Sequence, residues 1–248
     1  MKTSLRLCAT IAWTAVFLPA TVAFGQTAVA GPNFGKSGQF AISGDRLFGL
    51  SWESESTNLN GNKITQSFTT FSLFREPATL AASGNSIMES YNIPRLSLDY
   101  FVISGLSVGG SFGYFSVGTH IKNVSAGHTA EQDTGSFGGF LFAPRIGYAF
   151  MFTDMLGVWP RSGITYVTGK EKNDIGLETS SVNRLAFSLD APLVISPFPH
   201  MGFVVGPALD VGVSGSSKIP NSTATEGPTS VDVSSLNIAL NAGLFVYF

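Results

Sequence analysis

Cysteine is nearly missing from this sequence: Cys8 is the only one in 248 residues. Past that position no disulfide and no thiolate metal site can form. Charge is scarce as well, with Asp, Glu, Lys and Arg at 12% of the chain, about half of the ~25% usual in globular proteins. The net charge of -2 provides no basic field and excludes nucleic acid as an expected partner. There are three histidines, His120, His128 and His200, and no two share a metal-ligand spacing. Beyond residue 18 there is no run of about 18 apolar residues that could cross a bilayer as a helix. Mean hydropathy is nevertheless +0.25. A chain this apolar, with no helical span, must bury its apolar side chains in sheet, as a large β-sandwich or a membrane β-barrel.

What is present begins with a leader. Lys2 and Arg6 precede an apolar stretch from Leu7 to Leu18, which Pro19 ends. Small residues follow, with cleavage points after Ala23 or Gly25. A basic start, a short apolar core and a small-residue site spell a secretory signal over residues 1–23, cut between 23 and 30. An uncleaved anchor is opposed by Pro19 and by the shortness of the core. Arg6 leaves no room for an apolar core before Cys8, so Cys8 is no lipoprotein cysteine and is expected to leave with the signal. Residues 24–37 then form an N-terminal extension, and 38–248 a single domain.

Glycine, at 28 residues, and phenylalanine, at 21, are arranged with a period of two. Between Met201 and Ser214 the odd positions include Met201, Phe203, Val205, Leu209 and Val211, and the even ones Gly202, Gly206, Ala208, Asp210 and Gly212. The same bulky-against-small split recurs over 106–114, 140–150, 185–195 and 236–248. Each segment is about ten residues long, enough for a tilted strand to cross hydrocarbon.

The connections alternate in length. Turns at 103–105, 151–154 and 196–199 are tight, whereas 119–137, 169–182 and 215–230 read as long polar loops. Outer-membrane barrels have this asymmetry, with the short side periplasmic, and Greek-key sandwiches do not. The expected fold is therefore an all-β, closed antiparallel transmembrane barrel. Nine strand segments can be read, near 38–53, 63–74, 94–103, 106–118, 138–150, 156–168, 183–196, 200–214 and 231–248. Closure needs an even number. Eight results if one N-terminal segment does not span; ten is the alternative, with a further strand in 78–92. Arg46 interrupts the first pattern and marks a candidate bulge.

The alternating last strand from Leu236, closing on the aromatic Phe248, resembles the small outer-membrane barrels of the OmpA-transmembrane and OmpW types. The resemblance is architectural and covers most of the chain after the leader. It implies that Phe248 is the signal read by the barrel-assembly machinery, with periplasmic chaperones as transient partners and outer-membrane lipids as permanent ones. It carries over no functional residue and names no surface ligand.

Three motif spellings have no supporting context. Ala30-Gly31-Pro32-Asn33-Phe34-Gly35-Lys36-Ser37 matches a relaxed phosphate loop but opens a strand, not a helix. Gly105–Gly109 and Gly109–Gly113 both spell G-x-S-x-G, yet on a regular strand rather than a strained elbow. No catalytic residue, metal ligand or cofactor is expected. The chemically serious constellation is a set of charges on the small, inward face: Arg95, Asp99, Arg145, Arg161, Arg184, Asp190 and Asp210. Buried charges must pair or meet water, so these residues form either an Arg–Asp plug or the lining of a narrow channel. The leading expectation is an outer-membrane barrel with a structural or surface-interaction role and no chemistry. The alternatives are a narrow passive pore or transporter of small hydrophobic molecules, and an outer-membrane lipid hydrolase.

Overall fold

A computed structural model describes residues 34–248, apart from 60–61, 74–78, 81–86, 89–90, 126–127, 173–177 and 220–228. The expected leader at 1–23 lies outside the described residues, as does most of the expected extension at 24–37. The strands are β1 (Phe40–Leu59), β2 (Asn62–Leu73), β3 (Thr79–Leu80), β4 (Ile87–Met88), β5 (Arg95–Phe101), β6 (Leu106–Ser125), β7 (His128–Tyr148), β8 (Phe150–Met151), β9 (Leu156–Val158), β10 (Arg161–Lys172), β11 (Glu178–Asp190), β12 (Leu193–Phe198), β13 (Met201–Ile219) and β14 (Thr229–Tyr247).

Eight of them close a ring in the order β1, β5, β6, β7, β10, β11, β13, β14, with β14 returning to β1. Every neighbour is antiparallel, and the β11–β13 pairing completes the circuit. The segment outside the ring is β2, which among the described residues pairs with β1 from Phe48 to Leu59.

Period-two patterning sets which face is lipid-like. On β5, Leu96, Leu98 and Tyr100 point outward and are exposed, while Ser97, Asp99 and Phe101 point inward and are buried. Around the ring this yields a belt of exposed Leu, Ile, Val and Phe and an interior of small, charged or aromatic residues. That is the inverse of a soluble domain and the arrangement of a barrel in hydrocarbon.

Two single segments in the sequence reading are divided in the structure. The segment 156–168 breaks into β9 and β10 at Trp159-Pro160, and 183–196 into β11 and β12 at Ala191-Pro192. Proline has no N–H for a ladder; here its carbonyl still serves, Pro160 accepting from Tyr148 N–H and Pro192 from Trp159 N–H. Strand runs into all three of the expected long loops. β6 and β7 remain paired as far as Ser125 and His128, β10 and β11 as far as Lys172 and Glu178, and β13 and β14 as far as Ile219 and Thr229. Polar side chains beyond the apolar belt do not interrupt backbone pairing, because the antiparallel ladder satisfies N–H and C=O whatever the side chains are.

Candidate functional site in the barrel lumen

The lumen is filled in three layers. At the end carrying the short turns, Phe34, Phe101, Trp159, Phe245 and Tyr247 pack with Ala41, Ala149, Val194 and Val204. At the opposite end, Tyr91, Ile93, Phe115, Phe137, Leu141, Val167 and Val182 form a second apolar cluster. The chain turns inward before β5 to supply Tyr91, Asn92 and Ile93, all buried. Asn92 exchanges side-chain hydrogen bonds with Asn237 at 2.9 and 3.2 Å, and Tyr91 Oη meets Ser235 Oγ at 2.9 Å.

Between the apolar layers lie the charges. Arg145 grips Asp99 in two-pronged fashion, Nη2 to Oδ2 at 2.5 Å and Nε to Oδ1 at 3.0 Å. Its Nη1 reaches Asp45 Oδ2 at 2.5 Å. Arg161 joins Asp45 at 3.2 Å and Asp190 at 3.6 Å. Arg46 joins Asp190 at 3.0 Å and grips Asp210 at 2.7 and 3.1 Å. The chain of contacts Asp99–Arg145–Asp45–Arg161–Asp190–Arg46–Asp210 is thus continuous. Hydroxyls and an amide complete it: Ser97 donates to Asp45 at 2.8 Å, Ser188 to Asp210 at 2.5 Å and Asn237 to Asp210 at 2.8 Å.

Arg95 lies beside this chain and donates to the Tyr91 carbonyl at 2.6 Å; the same carbonyl accepts from Arg46 at 2.6 Å. Arg184 belongs to a separate cluster, with Glu55 at 2.7 Å and Glu53 at 3.6 Å. All seven charged residues singled out from the sequence therefore face the lumen, and five of them share one network.

Four lumen charges escaped the sequence reading: Asp45, Arg46, Glu53 and Glu55. The cause for the first two is a bulge. Gly44 pairs with Leu244 and Phe48 with Ala242, so β1 spends two more residues than β14 over this stretch. Arg46 takes φ +55°, a left-handed conformation rare outside glycine. Strict alternation would send one of two consecutive residues outward, yet here Asp45 and Arg46 both point inward and are 3% and 4% exposed. The broken pattern at Arg46 was the available signal.

Room for anything else in the charged layer is small. Cavities of about 10 and 20 Å³ adjoin it, both bordered by Arg161 and Asp190. Each has space for about one water molecule.

The other sequence candidates resolve separately. Ser107 accepts a hydrogen bond from Trp159 Nε1 at 3.0 Å, and Ser111 is buried in the wall. Gly109 sits where a Cβ would come within 2.5 Å of Asp99 Oδ1, so the glycine of this G-x-S-x-G spelling makes room for the ion pair. His200 lies in the β12–β13 turn, its Nδ1 2.9 Å from the Tyr247 carbonyl oxygen. The side chains of His120 and His128 lie outside the described residues. No cluster of metal-ligating side chains occurs among the described residues. Phe248 points outward at the end of β14, and its backbone exchanges two hydrogen bonds with Phe40 across the closing seam.

No known family's sequence pattern matches the chain, nor does any curated protein. Among solved structures it is similar to the outer membrane protein OprG from Pseudomonas aeruginosa, at 14% identity over 88% of this chain and 99% of that one, with a TM-score of 0.52. It is also similar to the outer membrane protein AlkL in lipid bilayers, at 12% identity over 90% and 94% with a TM-score of 0.47. The outer membrane protease OmpT from Escherichia coli matches at 9% identity over 85% and 97%, with a TM-score of 0.40. The likeness to OprG establishes the fold, that of small bacterial outer-membrane barrels.

Proposed function

We propose that this protein is an integral outer-membrane barrel with a structural or surface-interaction role and no chemistry, its lumen sealed and its long hairpins presented to the exterior. The observation that carries this reading is the layered lumen. A paired Arg–Asp layer lies between two apolar clusters, and two cavities of water size adjoin the charged layer. With the short turns on the periplasmic side, the β1–β2, β6–β7 and β13–β14 hairpins rise on the outer side. The ladder of β6 and β7 runs through about 20 residues on each strand, roughly twice the ~9–11 that hydrocarbon requires. The excess length is surface available to a partner. On this reading the standing partners are outer-membrane lipids, with the barrel-assembly machinery and periplasmic chaperones engaged during biogenesis. Osmotic swelling of proteoliposomes tests it: small sugars should enter no faster than into protein-free vesicles, and rapid swelling would overturn the sealed lumen.

One observation favours sideways uptake of small hydrophobic molecules as a second reading. β5 covers β6 only as far as Phe112. Above that level β6 has no strand partner on this side among the described residues, and the chain turns into the lumen at Pro94 toward the apolar cluster. An apolar fluorescent solute transferred between vesicles faster with the protein, while sugars remain excluded, would select this reading over the first.

A further inference from the structure

We propose that the mouth of the barrel at the short-turn end is a preformed site for an aromatic ring, filled by Phe34 from the chain's own N-terminal segment, which docks and undocks as a stopper. The ring of Phe34 is 1% exposed. It meets Phe101 at 5.1 Å, Trp159 at 5.2 Å, Phe245 at 4.8 Å and Tyr247 at 5.3 Å between centroids. All four contacts are edge-on or tilted, the arrangement that aromatic quadrupoles favour.

The walls of the site are held without Phe34. Phe101 contacts Trp159 at 5.7 Å, and Phe245 stacks on Tyr247 at 5.9 Å. Trp159 donates to Ser107 Oγ, and Tyr247 Oη lies 3.3 Å from Ser196 Oγ. Phe101, Phe245, Tyr247, Ser107 and Ser196 stand on strands, and Trp159 stands on the connection between β9 and β10, where its N–H donates to the Pro192 carbonyl.

The segment bearing Phe34 is held differently. Residues 34–39 belong to no strand. Their ties to the barrel include Gly105 N–H to the Gly35 carbonyl at 2.8 Å, Gly38 N–H to the Phe101 carbonyl at 2.8 Å, Phe101 N–H to the Gln39 carbonyl at 2.9 Å and Ser37 Oγ to the Val102 carbonyl at 3.2 Å. Lys36 and Ser37 are exposed. Gly35 and Gly38, at φ +88° and +87°, bend the segment over the mouth, a conformation open to glycine and costly to other residues. One buried ring on an arm that lies outside any strand and turns on two glycines is the construction of a stopper.

Docking reaches the charged layer through Trp159. One side of its indole contacts Phe34, and the Arg161 guanidinium lies 4.8 Å from its ring centroid. Arg161 in turn bridges Asp45 and Asp190. Phe34 therefore steadies a side chain that supports the ion-pair layer, and its departure would admit water to the lower side of that layer.

The test uses the full chain after leader removal, folded in detergent micelles, with Trp52→Phe so that Trp159 is the reporter. Phe34→Ala should raise acrylamide quenching of Trp159 at least threefold. Gly38→Val retains Phe34 and strains only the hinge, since a Cβ there meets nothing within 4 Å; it should raise quenching by a smaller factor. Both variants should keep the heat-modifiable migration of a folded barrel. Wild-type quenching in a folded Phe34→Ala protein would overturn the stopper, and wild-type quenching in Gly38→Val would overturn undocking. Loss of the folded barrel in either variant would show the segment to be framework instead. None of these outcomes depends on what the outer hairpins bind.

Discussion

Arg46 and Asp210, 164 positions apart in sequence, meet in the lumen through two parallel hydrogen bonds of 2.7 and 3.1 Å. Asp210 is fully buried and Arg46 nearly so. The pair exists because β1 bulges: without the left-handed turn at Arg46, either Arg46 or Asp45 would face lipid.

Two-pronged recognition explains why arginine occupies this place. Arg46→Lys retains the charge but not the planar fork that spans Asp210 while also reaching Asp190 and the Tyr91 carbonyl. Loss of a charge-assisted hydrogen bond should cost about 1.5–3 kcal/mol. Reversible urea unfolding in lipid vesicles measures it, and a cost near zero would mean that the fork is not used.

The lipid face is tested one residue from the lumen face. Leu209 neighbours Leu189 and Ile238 across β11 and β14, in the middle of the apolar belt. Leu209→Arg places a charge in hydrocarbon and should cost about 2–4 kcal/mol of barrel stability. A silent substitution, measured by the same unfolding, would put β13 outside the membrane.

At the closing seam, deletion of Phe248 or Phe248→Lys removes the outward aromatic that ends β14. Folded protein in the outer membrane should fall sharply, with degradation in the periplasm. Unchanged surface levels and heat-modifiable migration would deny Phe248 the role of assembly signal.

The leader expected at residues 1–23 carries a separate prediction. N-terminal sequencing of protein from the membrane fraction should begin between residues 24 and 31. A mature chain that retains Cys8 would contradict it.

The alternation of Leu185, Phe187 and Leu189 against Arg184, Ala186 and Ser188 made the barrel wall legible, because a strand with two different solvents on its faces must write them at period two. Asp99, Arg145, Asp190 and Asp210 were legible as lumen charges for the same reason. Asp45 and Arg46 were not, because a bulge breaks the parity on which that reading depends. Glu53 and Glu55 stand on a strand whose alternation is poor. Phe34 was read as part of an extension: a residue outside any strand carries no period, and its burial is decided by Phe101, Trp159, Phe245 and Tyr247, far away in sequence. The hairpin ends of β6–β7, β10–β11 and β13–β14 read as loops because their side chains are polar, whereas their pairing is set by the backbone.

The sealed lumen is tested most directly at Asp210, whose carboxylate accepts from Arg46, Ser188 and Asn237. Asp210→Ala takes the two-pronged partner from the buried Arg46 guanidinium, leaving it only Asp190 and the Tyr91 carbonyl, and urea unfolding in lipid vesicles should register a loss of about 3–5 kcal/mol. A water-filled lumen would screen the vacated charge. A loss of about 1 kcal/mol or less, the scale of solvent-exposed pairs, would contradict the plug and turn the same residues into the lining of a pore.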